Sequence, residues 1–198
     1  IIGLVWVAAW LLIPEMNSSP VGKNNISGSA DTNPENKPRL TSLLREKEAW
    51  VFIIIRFLLD PIFYFYMFWI PKYLNEARGI ELGKIGRLFW IPFLALGVAN
   101  MLGGWLSDKI LRKTSSLNIA RKTVMGFAAL LTMSAIFIRY VESPWLVIAI
   151  MCTAFLAHGL WITNYITSTG DIFGKSSTST IIGFSGTAGA ISGLGINP

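Results

Sequence analysis

The sequence contains few cysteine, histidine and charged residues. Cys152 and His158 are the single residues of their types among 198 residues, and charged residues make up 14% of the chain. One cysteine excludes an internal disulfide. A typical globular domain has about 25% charged residues, so this chain is far more apolar than a soluble domain. The composition therefore indicates an integral membrane protein.

Patterns that often carry enzyme chemistry are also missing. The sequence has no paired carboxylates, no cluster at metal-ligand spacing and no nucleophile elbow. Residues 170–176 end like a phosphate-binding loop, but the motif is one residue short and no buried strand precedes it. An intramembrane enzyme with His158 as its base would need a nucleophile or metal ligands nearby, and the sequence has neither. We therefore expect no enzyme activity, no metal and no cofactor.

Long apolar runs are abundant. A helix needs about 20 apolar residues to cross a hydrocarbon core roughly 30 Å thick. The apolar runs predict membrane spans at about 50–74, 88–106, 123–140, 145–169 and 178–196. The predicted fold class is accordingly an all-α membrane protein.

The beginning of the chain has a different composition. Residues 1–14 are too few to span a membrane and predict the end of a transmembrane helix that stops at Pro14. Residues 15–48 combine Asn, Ser, Gly, Pro and charged residues without periodicity, which predicts a loose polar loop. Residues 1–14 lack the initiator Met, charged n-region and cleavage site of a signal peptide. We therefore expect the chain to be an internal fragment of a longer protein.

Lysine and arginine are distributed unequally between alternate loops. The loops on one side, which include residues 15–48 and 107–122, contain 11 of them, whereas the loops on the other side contain 5. Because cytoplasmic loops carry the excess of positive charge, the first side is predicted to be cytoplasmic. The net charge of +6 does not indicate a nucleic-acid partner, because the positive residues lie between apolar runs rather than on one solvated face.

The first full span contains an ionisable pair. Arg56 and Asp60 are four residues apart and share one face of a helix, which Tyr64 continues. A charged side chain inside a span is costly and indicates a functional pathway by default. The planar guanidinium of Arg56 suits bidentate binding of a carboxylate. The alternative is a structural ion pair with Asp60, in which Arg56 lies near enough to the cytoplasmic side to snorkel. Asp60 is expected to be that ion partner, and its alternative role is to take up a proton.

A segment with a fixed pattern lies at the cytoplasmic end of the second span. Residues 103–113, GGWLSDKILRK, begin with two glycines that allow close helix packing and end with basic residues at the lipid surface. Asp108 is expected to accept hydrogen bonds from the N-terminus of a neighbouring helix. A basic stop-transfer flank would explain the positive charges but not the spacing of Gly and Asp. The order resembles the signature loop of the major facilitator superfamily, and the matching positions are Gly104, Asp108, Lys109, Arg112 and Lys113.

The resemblance covers nearly the whole chain from Trp50 onward. It implies that residues 1–14 end the sixth family helix, that 15–48 form the central cytoplasmic loop, and that 49–198 form the C-terminal bundle with helices seven to eleven. The first five family helices and the twelfth are then missing. The motifs that are similar, in order and spacing, to the second half of bacterial anion:cation symporters, especially hexuronate transporters, are DPIFYFYMFWIPKYLNEARG, GGWLSDKILRK, SLNIARK, SPWL and DIFGK with its following Gly-Ala run.

The resemblance also implies a function for the full-length protein. That function is secondary active transport in the bacterial inner membrane, in which a hexuronate or related organic anion enters with a proton by alternating access. The implied partners are the sugar acid, the coupling proton, the lipid bilayer and the missing N-terminal half. The alternative is a membrane sensor of the same fold that binds a sugar acid and signals. Hexuronate, aldonate, aldarate and sugar phosphate are all open as substrates.

Polar residues and glycines in the last two predicted spans complete the candidate site. His158 and Asn164 are predicted to bind sugar hydroxyls while Trp161 stacks on the pyranose ring, and the alternative is a histidine that hydrogen-bonds to a neighbouring helix. The glycines from Gly183 to Gly193 predict close helix packing. The predicted substrate-binding residues are Arg56, Asp60, Tyr64, His158, Trp161 and Asn164.

Overall fold

The fold is known from a computed structural model that describes residues 43–195, except for the side chains of residues 175 and 176. The helix end predicted for residues 1–14 and most of the loop predicted for 15–48 lie outside the described residues. Residues 196–198, at the end of the fifth predicted span, lie outside them as well.

Helices account for almost all of the described chain. No strand occurs within residues 43–195, so the predicted all-α fold class is confirmed. The elements are α1 (Lys47–Glu76), α2 (Leu82–Leu88), α3 (Trp90–Thr114), α4 (Leu117–Thr132), a 3-10 helix (Met133–Tyr140) and α5 (Pro144–Leu194).

The long helix α5 contains one break. Gly174 has a φ of 69° and a ψ of 173°, which are not helical angles. It divides α5 into two parts, which we name α5a (residues 144–173) and α5b (residues 175–194). The residues between the fourth and fifth predicted spans are therefore helical on both sides of a single glycine.

Four stretches of residues 43–195 are long and apolar enough to cross a membrane. They contain the first four predicted spans. α5b is helical but is not among these stretches, since its many Gly, Ser and Thr residues lower its hydropathy, and the fifth span at 178–196 stays a prediction. The four stretches are Lys47–Glu76, Leu82–Thr114, Leu117–Tyr140 and Pro144–Gly174.

The segment that resembles the signature loop is helical, which corrects the prediction of a loop. Residues 103–113 all lie inside α3, and the chain first leaves the helix at Ser115, which has a φ of 53°. The Leu, Lys and Arg residues of this segment are good helix formers, so they extend the span beyond its apolar part. Ser116 then begins α4, where its side chain accepts a hydrogen bond from the Ile119 N–H. The positions now placed on a helix are Gly104, Asp108, Lys109, Arg112 and Lys113.

α5 lies at the centre of the bundle, in contact with α1, α3 and α4. Its closest approach to α3 is at Gly159, where a Cβ atom would lie 2.7 Å from both the Leu96 carbonyl oxygen and the Ala99 Cβ. No side chain fits between the two backbones at this point. Small residues at such crossings are the usual means of close helix packing in membranes.

Two clusters of buried apolar side chains lie along the bundle. One cluster includes Phe52 and Tyr165, and the other includes Ile70 and Phe155. Both clusters contain residues of α1 and α5. The ionisable pair Arg56–Asp60 lies along α1 between Phe52 of the first cluster and Ile70 of the second.

Candidate substrate-binding site

Arg56 and Asp60 form an ion pair within α1. The Arg56 Nε donates a hydrogen bond of 2.9 Å to Asp60 Oδ2. The side chain of Asp60 is 8% exposed and that of Arg56 is 20% exposed. The predicted structural pair is therefore present. Asp60 engages only the Nε of the guanidinium.

The terminal edge of the Arg56 guanidinium is not engaged by Asp60. Its Nη1 and Nη2 donate to no atom among the residues that the structure describes. A Cβ atom on Gly186 of α5b would lie 3.6 Å from Nη1 and 3.7 Å from Cζ. These similar distances place Gly186 over the flat face of the guanidinium. The ring of Tyr165 also lies near the guanidinium, with its centroid 5.9 Å from Cζ.

Two further glycines of α5b lie opposite the polar face of α1. A Cβ atom on Gly189 would lie 2.7 Å from Asp60 Cγ, and a Cβ atom on Gly193 would lie 2.5 Å from Tyr64 Cδ2. Non-bonded carbon atoms pack at about 3.5–4.0 Å, so Asp60 and Tyr64 fill the space that side chains would need. The predicted close packing of the glycine stripe is thus found at these positions. Gly183 differs, because a Cβ atom there would have no atom within 4 Å.

His158 lies on α5a and stacks on the α1 residue Phe63, with ring centroids 4.2 Å apart and planes 17° apart. Both rings line a cavity of about 40 Å³ between α1, α4 and α5a, which Tyr66 and Thr132 also line. A water molecule needs roughly 10–15 Å³ of such space. The cavity therefore admits water but not a sugar acid in this conformation.

Trp161 is a core residue in this structure. It is 3% exposed, and its ring stacks on that of Tyr165 with centroids 5.0 Å apart. The His158 ring lies 6.2 Å from it on the same helix. The Trp161 ring thus lies between the rings of His158 and Tyr165, and the Tyr165 ring in turn lies near the Arg56 guanidinium. The Trp161 ring is not exposed for stacking on a pyranose.

Asn164 joins α5a to α3. It is fully buried, and its Nδ2 donates to the carbonyl oxygens of Gly103 and Leu160 at 3.2 Å and 2.9 Å. The amide thus bridges the two helices close to the glycines of α3. The structure does not bring Asn164 together with Arg56.

The predicted site residues accordingly occupy three environments. Arg56, Asp60 and Tyr64 share the face of α1 that packs on α5b. His158 and Trp161 lie in the aromatic core beside this face. Asn164 lies at the contact between α3 and α5a.

Arg121 is a buried residue whose role the sequence did not reveal. It lies on α4 and is 6% exposed. Its Nη1 donates to Ser107 Oγ at 2.7 Å and its Nε donates to Asp171 Oδ2 at 3.2 Å. Asp108 is a weaker partner at 3.8 Å and is 62% exposed. Arg121 therefore ties α3, α4 and α5a together at one end of the bundle.

The partner of Asp108 differs from the expected one. Among the described residues its ion partner is the Arg121 guanidinium, at 3.8 Å, rather than the N-terminus of a neighbouring helix. The sequence offered one signal for the Arg121 cluster. The motif SLNIARK contains a basic residue, Arg121, and the motif DIFGK begins with an acidic residue, Asp171. Among the other residues of the signature segment, Lys109 lies over the Trp105 ring at 4.9 Å, and Arg112 and Lys113 are exposed.

The chain belongs to the Major Facilitator Superfamily, whose family model matches residues 1–196. Together with the four apolar helices, this membership makes it a multi-pass membrane protein.

Curated relatives include transporters of several sugar acids. The chain is 35% identical over 125 residues to a probable galactarate/D-glucarate transporter of Escherichia coli (strain K12), which covers 61% of this chain and 28% of the relative. It is 26% identical over 174 residues to a D-galactonate transporter of Escherichia coli O6:H1 (strain CFT073), and this match covers 80% of this chain and 40% of the relative. It is 25% identical over 195 residues to a hexuronate transporter of Escherichia coli (strain K12), and this match covers 93% of this chain and 45% of the relative. The chain thus spans less than half the length of these relatives.

Proposed function

We propose that the full-length protein is a secondary active transporter that moves a sugar acid across the bacterial inner membrane. The names of the relatives support this substrate class, because galactarate, D-glucarate, D-galactonate and hexuronates all combine a carboxylate with several hydroxyls. Family membership supports alternating access, in which two halves of the molecule rock about a central site. We further propose that a proton accompanies the substrate.

The observation that most supports an anionic substrate is the Arg56 guanidinium of α1. It pairs with Asp60 through Nε alone, and its Nη1 and Nη2 have no partner among the described residues. Charged groups within a membrane span are expensive and commonly mark a substrate or ion pathway. The fork of an arginine matches the geometry of a carboxylate. We propose that Arg56 binds the carboxylate of the sugar acid.

The other residues of the site support Arg56 in different ways. Asp60 orients the guanidinium, and Tyr64 contributes a further polar group on the same face of α1. His158 and Trp161 border this face in the aromatic core, where helix movement would give them access to hydroxyl groups of the sugar. Asn164 holds α3 against α5a and so has an indirect role.

We propose that residues 49–198 act as the C-terminal bundle, which closes the substrate site against an N-terminal half. In this arrangement the Arg121 cluster, with Asp108 beside it, holds the cytoplasmic ends of α3, α4 and α5a together. The gating residues of the signature segment would then move as one unit with α3.

Uptake by the full-length protein tests the proposed function. Purified protein in proteoliposomes would be given an inward proton gradient and labelled D-glucarate, D-galactonate or D-glucuronate. We expect at least one of these to accumulate, and a protonophore to abolish the accumulation. Saturable binding without uptake would instead support a sensor. Absence of both binding and uptake for all of these acids would contradict the proposal.

A further inference from the structure

We propose that Arg56 binds the substrate carboxylate end-on, through Nη1 and Nη2. We further propose that Gly189 determines this binding mode because it leaves space for the Asp60 carboxyl group that pairs with the Arg56 Nε. The inference deepens the proposed function and rests on it, because it assigns the atoms of Arg56 and a positioning residue within that transporter.

The first step concerns which edge of the guanidinium is free. An arginine can pair with a carboxylate either through Nε and one Nη or through its two Nη groups. Asp60 Oδ2 lies 2.9 Å from the Arg56 Nε and so occupies the first edge. The second edge has no partner among residues 43–195 with described side chains. A substrate that leaves the ion pair intact must therefore bind end-on.

The second step concerns what holds the guanidinium in place. Gly186 packs over its flat face, with distances of 3.6–3.9 Å from a Cβ position to Nη1, Cζ and Nη2. The Tyr165 ring lies 5.9 Å from Cζ. With Asp60 at Nε, the group is constrained on one edge and against its faces before substrate arrives. Such preorganisation raises affinity because less freedom is lost on binding.

The third step identifies Gly189 as a positioning residue. A Cβ atom there would overlap the Asp60 carboxyl group, with Cγ only 2.7 Å away. Asp60 is buried, and we infer that its carboxyl group would avoid the overlap by rotating away from the Arg56 Nε. Gly189 thus acts on the substrate through Asp60 and Arg56 without touching it.

Two glycines of α5b provide a matched test in the full-length protein. Gly183 and Gly189 would each be replaced by Ala, which improves helix propensity at both positions. We expect Gly189→Ala to raise the KM for sugar-acid uptake by about tenfold or more, since orientation of a charge-assisted contact is lost. Gly183→Ala, whose added Cβ would meet no described atom within 4 Å, should change the KM by less than about threefold. An equal rise for both variants would overturn the inference, because it would indicate general packing.

A double-mutant cycle separates an effect through Asp60 from an effect elsewhere. We expect Asp60→Ala to raise the KM and the variant Asp60→Ala/Gly189→Ala to have nearly the same KM, because the carboxyl group that overlaps most is then absent and only the Cβ at position 60, 3.0 Å away, remains. Additive effects would overturn the role of Gly189. A lower KM for Asp60→Ala would overturn end-on binding, because Asp60 would then compete with the substrate. If Asp60→Ala does not accumulate, Asp60→Asn takes its place because it keeps an acceptor for Nε, and we expect its KM to rise less than that of Gly189→Ala.

Failure of the inference differs from failure of the proposed function. If the wild type takes up a sugar acid and Gly189→Ala has an unchanged KM, the inference is refuted but the proposed transport function is not. If the wild type neither binds nor transports a sugar acid, the proposed function itself is refuted.

Discussion

Arg56 is ordered by groups from two helices. Asp60 binds its Nε within α1, while Gly186 and Tyr165 of α5 lie near its guanidinium. A long side chain normally loses about 1.5–2 kcal/mol of rotamer entropy when it is fixed. Here that loss occurs on folding, so a bound carboxylate need not order the side chain again.

Substitution of Arg56 tests the carboxylate contact. We expect Arg56→Ala and Arg56→Lys to abolish uptake of a sugar acid, because Ala removes the charge and Lys lacks the planar fork. Uptake of labelled D-glucarate, D-galactonate or D-glucuronate at matched protein levels measures the effect. Arg56→Ala leaves the Asp60 carboxylate unpaired, so Arg56→Ala/Asp60→Ala is the control for misfolding. Normal transport by both single variants would refute the contact.

Single residues differ in how far sequence could place them. The Arg56–Asp60 pair follows from helical spacing alone, because both partners lie on one helix. Asn164 and Trp161 both lie on α5a, which packs against a different helix on each of its faces. The spacing of residues in the sequence does not show which face of α5a packs on α3 and which packs in the core. Arg121 was seen only as a positive charge near a loop, because its partner Asp171 lies 50 residues away.

At the scale of elements, apolar runs were sufficient to predict the helices. The first four predicted spans lie inside helical stretches that are long and apolar enough to cross a membrane. Their ends were harder to predict, because charged residues with high helix propensity continue α3 to Thr114. The break in α5 was hard to predict for a different reason. A single residue, Gly174, separates α5a from α5b where the sequence predicted a short loop.

Gly174 is expected to be intolerant of a side chain. Its φ of 69° and ψ of 173° lie in a region that is essentially restricted to glycine. Gly174→Ala should destabilise the protein by about 1–3 kcal/mol, even though no atom lies within 4 Å of the added Cβ. Thermal unfolding in detergent measures the change in Tm.

Gly170→Ala is the matched control for this break. Its Cβ would meet only Thr178 Oγ1, at 3.8 Å, and the residue lies within α5a. We expect its Tm to equal or exceed that of wild type. A Tm for Gly174→Ala as high as that of Gly170→Ala would show that the break does not require glycine.

At the scale of the whole molecule, the fold class and the family follow from the sequence more readily than the site does. Composition and apolar runs define a membrane protein, and the order of motifs indicates the family. The site faces α5b, a helix whose contacts depend on the path of the chain after Gly174. The division of the chain at residues 14 and 48 stays a prediction.

The orientation of the bundle is testable from its exposed ends. The excess of Lys and Arg predicts that Arg112 faces the cytoplasm and that Glu81 faces the opposite side, and both residues are exposed. Arg112→Cys and Glu81→Cys would be made in a full-length variant without other cysteines. We expect a membrane-impermeant maleimide to label Glu81→Cys in intact cells and Arg112→Cys in inside-out vesicles. The reverse pattern would contradict the orientation.

The glycines of α5b have a consequence for the register between helices. Arg56, Asp60 and Tyr64 now meet Gly186, Gly189 and Gly193 in the same order, so α1 and α5b run in parallel. A shift of one helical turn, about 5.4 Å, would bring the same three residues opposite Gly183, Gly186 and Gly189. Each of these three side chains would again face a residue without a side chain. At these positions the shifted alignment meets no steric barrier, and Gly183, which has no atom within 4 Å of its Cβ position in the first alignment, would face the arginine in the second.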